Sequence, residues 1–365
     1  MSLSRRHVIA GGGAIAIATA GAATLGYRHM ASMGEYDEAV AATRAALSND
    51  PSLRELVRFA TLAPNGHNTQ PWRFRIAAER IDILPDFTRR TPVVDPDDHH
   101  LFVSLGAAAE NLALAAAAHG RLGEVTFDSS GTGAVHIALD GAAPVLSPLY
   151  EAIRHRQSTR AGYDGRSLGA SELNHLAAAT AVPGVDMVLV TDRAQVTKLI
   201  ELVVTGNSAQ MADAAFVTEL KQWLRYNPRE ALATGDGLFS AASGSPVVPT
   251  WAGPFLFDNF AGAKSANDKY VGQLRSSAGL AVFVGRRPDP AHWVQVGRAC
   301  QRFALAATAL GLKHAFMNQP VEVARLRPDL AALIGMPGHR PDIVMRFGRG
   351  STLPYSARRA PQIIV

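Results

Sequence analysis

Thr61-Leu62-Ala63-Pro64-Asn65-Gly66-His67-Asn68-Thr69-Gln70-Pro71-Trp72-Arg73-Phe74 is the stretch on which the reading of this 365-residue chain turns. It reads as a helix end, a loop dense in amide and hydroxyl groups, then a strand led by an aromatic. Pro64-Asn65-Gly66 breaks the preceding helix into a tight loop. Such a loop can grip a polar heterocycle through several hydrogen bonds at once. It reads equally as a turn whose Trp72 fills the core, and the loop alone leaves both readings open.

Outward from that loop, Asp50-Pro51 offers a cap and a first-turn proline for a helix over residues 52–62. Residues 73–76 and 81–84 read as short strands. Residues 104–120 form a helix apolar nearly all round and hence buried, and residues 134–139 form a further strand. Asp140-Gly141-Ala142-Ala143-Pro144 is the expected junction between two halves, residues 31–145 and 146–365. In the second half, strands are expected at 187–190, 280–284 and 343–347, with a second buried helix at 293–310. Residues 244–262 carry Pro246, Pro249 and Pro254 among Trp251, Phe255, Phe257 and Phe260. The prolines predict irregular structure there, and the aromatics must cover something. Strands and helices mix without strict alternation, so the fold class is α+β rather than a doubly wound sheet.

Residues 104–120 also lie over 295–311 at an offset of 191 residues, matching Gly106 to Gly297 and Ala113-Leu114-Ala115-Ala116 to Ala304-Leu305-Ala306-Ala307. The match predicts two related halves packing their long helices together.

Composition excludes several classes. The chain is 47% hydrophobic and 18% charged, too apolar for a disordered protein. Its net charge of +5 is spread without a basic run, so no nucleic-acid footprint is present. One cysteine, Cys300, rules out a disulfide framework or a cysteine-rich metal site; it sits mid-helix and is read as buried and inert. His99-His100 follow Asp95, Asp97 and Asp98, read as a solvated acidic loop, and no metal is expected. Ser158 and Ser356 lack a nucleophile-elbow context. At the start, Ser4-Arg5-Arg6 precedes a run from Val8 to Tyr27 without charge. That run could span a bilayer by length, but Ala, Gly and Thr dominate it. It resembles a twin-arginine export signal within residues 1–30, with an uncleaved anchor as the alternative. The expected location is periplasmic or cell-envelope, by way of the twin-arginine export machinery.

A second string is Arg154-His155-Arg156-Gln157-Ser158-Thr159-Arg160. Arg156, Ser158 and Arg160 alternate and would share one side of an extended segment. Arginine pairs bidentately with phosphate and a serine hydroxyl adds a donor; the competing reading is a solvated basic segment. Together the two strings resemble the FMN-dependent nitroreductase superfamily. Two further strings join them: Met317-Asn318-Gln319-Pro320-Val321-Glu322 and the tail Tyr355-Ser356-Ala357-Arg358-Arg359.

The resemblance implies a nitroreductase-like fold with FMN as cofactor. It implies that Pro64, Asn65, Gly66, His67, Asn68 and Gln70 form the flavin loop. Arg156, Gln157, Ser158 and Arg160 would take the phosphate and ribityl chain, with Arg160 near flavin N1 and O2. Main chain around Met317, Asn318 and Gln319 would approach N5, and Arg358 and Arg359 would close on the phosphate. Each string occurs once, and at the 191 offset Pro64 falls on Phe255. This pattern resembles the Acg-like branch: one FMN per chain, two halves imitating a dimer, and a lid for which residues 244–262 are the candidate. NAD(P)H is the implied donor and a nitroaromatic or quinone the implied acceptor, the flavin itself carrying the chemistry. The alternative is an FMN-sequestering store beneath a closed lid. A monomer or loose homodimer is expected.

Overall fold

The computed structural model describes residues 30–260 and 262–364. The twin-arginine segment lies outside the described residues. Helix α1 (Met33–Thr43) and helix α2 (Leu53–Thr61) each begin with a capping box, Ser32 with Glu35 and Ser52 with Glu55. Ser52, not Asp50, caps α2, because its hydroxyl and the Glu55 carboxylate satisfy each other's backbone amides. The string at residues 61–71 then leads into strand β1 (Trp72–Ala77) and strand β2 (Arg80–Pro85), joined by a two-residue turn. Helix α3 (His99–Ala118), strand β3 (Glu124–Asp128) and strand β4 (Ala134–Ala138) complete this half. Residues 141–146 are exposed, and α4 (Pro148–Ala152) follows.

The second half repeats the order with one large difference. Helix α5 (Ala170–Ala179) leads into strand β5 (Val185–Val190). The chain then makes an excursion over residues 191–278. It runs through α6 (Arg193–Ala212), α7 (Ala214–Gln222), α8 (Pro228–Thr234), α9 (Gly253–Phe260) and α10 (Ala263–Arg275). Two short strands, β6 (Leu224–Arg225) and β7 (Leu238–Phe239), pair within it. Strand β8 (Gly279–Gly285), helix α11 (Pro290–Ala309) and strand β9 (Lys313–Phe316) follow. The chain continues through α12 (Gln319–Glu322), α13 (Arg327–Leu333), strand β10 (Ile343–Gly348) and strand β11 (Ile363–Ile364).

The sheets run β11-β1-β2-β4-β3 and β5-β8-β10-β9. All neighbours are antiparallel except β11, which lies parallel to β1. Without β11 the two sheets share one order: first strand, second strand, fourth, third. In both, the long helix falls between the second and third strands. The excursion therefore replaces in the second half the tight turn that joins β1 to β2 in the first. It also contains the stretch expected to be irregular. There Pro254 sits in the first turn of α9, where no helical partner needs its missing N–H.

Helices α3 and α11 cross at the centre of the molecule. A Cβ on Gly106 would stand 1.9 Å from the Val294 carbonyl oxygen, and one on Gly297 would stand 2.0 Å from that of Val103. The two contacts are reciprocal, as in an isologous interface. So are Arg302 Nη1 to Glu110 Oε1 at 2.7 Å and Gln301 Nε2 to Asn111 Oδ1 at 2.6 Å. By length and apolarity α3 alone, among the described residues, could cross a membrane, yet 89% of its apolar window is buried inside the protein. It is the core. The 191-residue offset holds for this helix pair but not for the loops: the counterpart of the string ahead of β1 is the link ahead of β5, residues 180–184. Phe255 lies within the excursion instead.

Candidate functional site

Between α2 and β1 the loop is wound into unusual backbone. His67, Asn68 and Gln70 have φ of 47°, 55° and 53°, conformations that cost about 1–3 kcal/mol each outside glycine and persist only where surroundings enforce them. Side chains do the enforcing. Asn65 Oδ1 accepts the Gln70 N–H at 2.8 Å. Asn68 Nδ2 donates to the Gly237 and Ala357 carbonyls at 3.1 and 3.2 Å, and Gln70 Nε2 donates to Gly235 at 2.8 Å. The link at 180–184 has only Gly184 in the left-handed region.

This loop walls two adjoining cavities of about 310 and 50 Å³, which share Pro64, Asn65, Arg160, Leu238 and Phe316. The smaller is an arginine pocket, lined by Arg44, Arg156, Arg160 and Arg358 with Asn68, Gln157 and Ser158. Arg156 is 2% exposed. Its Nη2 donates to the Leu62 carbonyl at 3.0 Å, while Nε and Nη1 have no partner. Arg44 Nη1 donates to the Arg154 and Arg156 carbonyls, and its Nε is unpartnered. Arg358 donates to the Thr61 and Ala63 carbonyls at 2.7 and 3.1 Å and to Asn68 Oδ1 at 2.9 Å.

Among the described residues, no carboxylate bears on any of the four arginines. Burial, then repulsion from Arg358 and Arg44, holds Arg156 well below the usual guanidinium range; burial pushes Arg358 down to about 9 and Arg44 to about 10. Buried cations without a counter-charge are costly. A phosphate would satisfy them with charge-assisted hydrogen bonds.

Arg160 stands where the cavities meet. Its backbone is fixed by the fully buried Arg346, whose Nη2 donates to the Thr159 and Ala161 carbonyls at 3.0 and 2.6 Å; Gln273 Nε2 donates to the Arg160 carbonyl. Its guanidinium makes no hydrogen bond among the described residues and faces both cavities.

Gly66, His67, Met317, Asn318 and Gln319 line the larger cavity. His67 Nδ1 and Gln319 Oε1 are buried there without partners. Burial first, then Arg160 and His100, pushes the His67 imidazole down to about 4, so it is neutral near pH 7. The Met317 N–H is spent on the Val344 carbonyl at 2.8 Å. Asn318 and Gln319, the cap and first residue of α12, remain as backbone donors.

Other placements differ from expectation. Gln70 and Arg359 line neither cavity; the Arg359 N–H donates to Gln70 Oε1 at 3.1 Å and its guanidinium to the Gln70 carbonyl at 2.8 Å. They fix the loop from behind. Asp95 and His99 are buried, not solvated. Asp95 accepts the His100 and Leu101 N–H groups at 3.0 Å and so caps α3, while Asp97 and Asp98 pair with Arg340 and Arg90. Asp95, His99 and His100 place ligand-type atoms within 4.8 Å of one another, but both Asp95 oxygens are already spent on those amides. His100 lines the larger cavity with Glu322. Burial pulls its ring down, but Asp95 and Glu322 together raise it above the usual histidine range, and burial raises the Glu322 carboxyl. Cys300 also lines this cavity, its thiol pushed up to about 12 by burial. Of the candidate lid, Phe257 reaches the cavity, while Trp251 and Phe255 are 73% and 64% exposed. The cover is broader than residues 244–262, with Met211, Phe216 and Leu220 of the excursion contributing.

Sequence reasoning missed Arg44, which follows an alanine-rich helix with no motif around it. It also missed the His100–Glu322 pair, split between two segments.

No family model matches the chain. The chain is similar to two Mycobacterium tuberculosis proteins, "Putative NAD(P)H nitroreductase Rv3131" and "Putative NAD(P)H nitroreductase MT3217". It is 24% identical to each over 323 residues, covering 84% of this chain and 89% of theirs. Among solved structures it is similar to the FMN-dependent nitroreductase NfnB from Mycobacterium smegmatis in complex with NADPH (13% identity, 56% of this chain and 88% of that one, TM-score 0.37). It is also similar to an FMN-bound nitroreductase from Bacteroides fragilis (18% identity, 60% and 99%, TM-score 0.36). The similarity to the two mycobacterial proteins, running through nine-tenths of their length, supports placing this chain in the nitroreductase superfamily.

Proposed function

We propose that this chain is an FMN-dependent oxidoreductase of the nitroreductase type, taking electrons from NAD(P)H and passing them to a nitroaromatic or quinone-like acceptor. The observation that carries the reading is the arginine pocket with unpartnered Arg156 Nε and Nη1, opening into a cavity large enough for a planar ring system. Those orphaned donors fit a phosphate, and the neighbouring His67 and Gln319 atoms fit a polar heterocycle. Bound FMN would supply the two-electron chemistry.

The chain's own residues divide the remaining work. Arg44, Arg156, Arg358 and Ser158 would hold the phosphate. Arg160 would place a positive charge where reduction puts a negative one, which favours the reduced state. Asn318 and Gln319 offer backbone donors on the opposite wall, and neutral His67 adds none of the charge that would oppose Arg160. His100 can exchange a proton at Nε2, 3.3 Å from Asn318 Nδ2, and Glu322 beside it keeps its own proton longer than an exposed carboxyl would.

The same reading extends to organisation. Matching strand orders and the reciprocal α3–α11 contacts support two nitroreductase-like halves, residues 31–145 and 146–365, sharing one FMN in the manner of the Acg-like branch. Strand β11 crosses back to the first sheet and ties the halves together. Arg5-Arg6 and the uncharged run after them support export to the cell envelope.

The test is the absorbance spectrum of the purified protein, followed anaerobically. One flavin per chain that bleaches with NADPH is the expected result. Bleaching by dithionite alone would return the flavin-store reading. A colourless protein that refuses added FMN would overturn both.

A further inference from the structure

The outer side of α9 has no role in the cavity. Trp251, Phe255 and Phe260 are 73%, 64% and 67% exposed, three large aromatics within ten residues. Trp251 lies in the turn that leads into α9, four residues before Phe255, and Phe260 ends the helix. The only acid on the helix, Asp258, is paired with Lys221. Soluble surfaces rarely leave such a group of aromatics in water without a partner.

The partner is indicated by where the chain enters the described fold. Met30 is 4% exposed, and its carbonyl accepts the Arg229 N–H at 2.8 Å, so the segment before it leaves the body beside α8. The cap of α8, Asn227, donates to Thr250 Oγ1 at 3.0 Å, and a Cβ on Gly253 would lie 2.3 Å from the Tyr226 ring. The exit point and the aromatic face thus flank the same short helix. Upstream of the exit lies the uncharged run Val8 to Tyr27, followed by Arg28. Twenty uncharged residues reach across a hydrocarbon core, and exposed Trp and Phe are the side chains that settle at a membrane interface.

We propose that the outer face of α9 rests on a lipid bilayer, with residues 8–27 retained in that bilayer as an anchor. The inference rests on the export reading for the membrane to be within reach, and not on the flavin chemistry. Phe257, on the inner side of the same helix, lines the larger cavity, so α9 would stand between bilayer and site.

The test uses the full chain with vesicles of phosphatidylcholine and phosphatidylglycerol whose acyl chains carry bromine, which quenches tryptophan on contact. Wild type and Trp251→Phe should float equally with the vesicles through the N-terminal segment. Bromine should quench part of the wild-type emission, and that part should vanish in Trp251→Phe. Phe255→Ser with Phe260→Ser should reduce quenching while leaving the melting temperature unchanged. Equal quenching in wild type and Trp251→Phe, flotation without quenching, or no flotation would each overturn the proposal. So would a wild-type dimer without vesicles that Trp251→Phe converts to monomer, since a second copy would then own the face. Flavin content and NADPH bleaching are read separately, so failure here leaves the oxidoreductase reading standing.

Discussion

The sheet built on β1 and the sheet built on β5 share one strand order, yet only one of them is simple. In the first, the second strand follows after a two-residue turn; in the second, it follows after residues 191–278. The links before the first strands differ the other way. Residues 65–70 carry three non-glycine residues in the left-handed region, and residues 180–184 carry only a glycine there. The strand order recurs and the loop does not: the first sheet's part of the chain contributes the strained loop, the second sheet's part the helices that cover it. Connections at the edges can differ this much because the reciprocal contacts of α3 against α11 are made by the helices themselves.

The largest expected effect tests the shared frame. Gly106→Val should cost about 3 kcal/mol or more, since its side chain would occupy the Val294 carbonyl. Gly297→Val should cost a similar amount if the halves are equivalent. Urea denaturation measures both, and a large inequality would break the comparison at its centre.

Next comes the asymmetric part. Arg156→Ala should weaken flavin binding by about 1.5–3 kcal/mol, read as flavin lost on dilution. Normal retention would remove Arg156 from the site.

A third effect concerns pH. Folded His67 resists protonation until about pH 4, whereas the unfolded ring takes a proton near 6.5. The unfolded state therefore binds more protons between those values, and stability should fall as pH drops through that window. Asp342, raised to about 7 by burial, acts in the opposite sense: its contribution is present at low pH and lost as pH rises toward 7. His67→Asn should flatten the acid side of the stability profile and Asp342→Asn the neutral side. Profiles unchanged from wild type would show that neither group titrates as its surroundings dictate.

The smallest effect is on the cover. Phe257→Ala should change stability by about 1 kcal/mol or less while raising the rate at which NADPH reduces the flavin. An unchanged rate would mean that access runs elsewhere.

Much of the site was legible because its chemistry is local. The strings at 64–70, 156–160, 317–319 and 358–359 are each dense in donors, and the fold brings most of them to two adjoining cavities. Direction was not legible. Gln70 reads like Asn65 until the structure shows it turned toward Gly235 and Arg359, because an amide that fastens a loop and one that faces a ligand need the same atoms. Arg44 stayed hidden because only the fold brings it to Arg156. The acidic run before α3 looked solvated because its partners are main chain or side chains outside the run: Asp95 accepts amides of the helix, while Asp97 and Asp98 pair with Arg340 and Arg90. Six strands of the two sheets were visible as short runs, whereas β3, β9 and β11, all at sheet edges, were not. The helices of the excursion were not visible either, although α6 and α10 bury Val196, Leu199, Val203 and Leu274 in one core with β8 and β10.

The arginine pocket draws Arg44 from before the first sheet and Arg358 from after the second. During synthesis, a ribosome must therefore have released nearly the whole described chain before any phosphate can be held. A nascent fragment, or a chain clipped ahead of Arg358, would lack part of that grip. Under the proposed function, cofactor loading would double as a proofreading step: only a finished, correctly closed polypeptide would turn yellow.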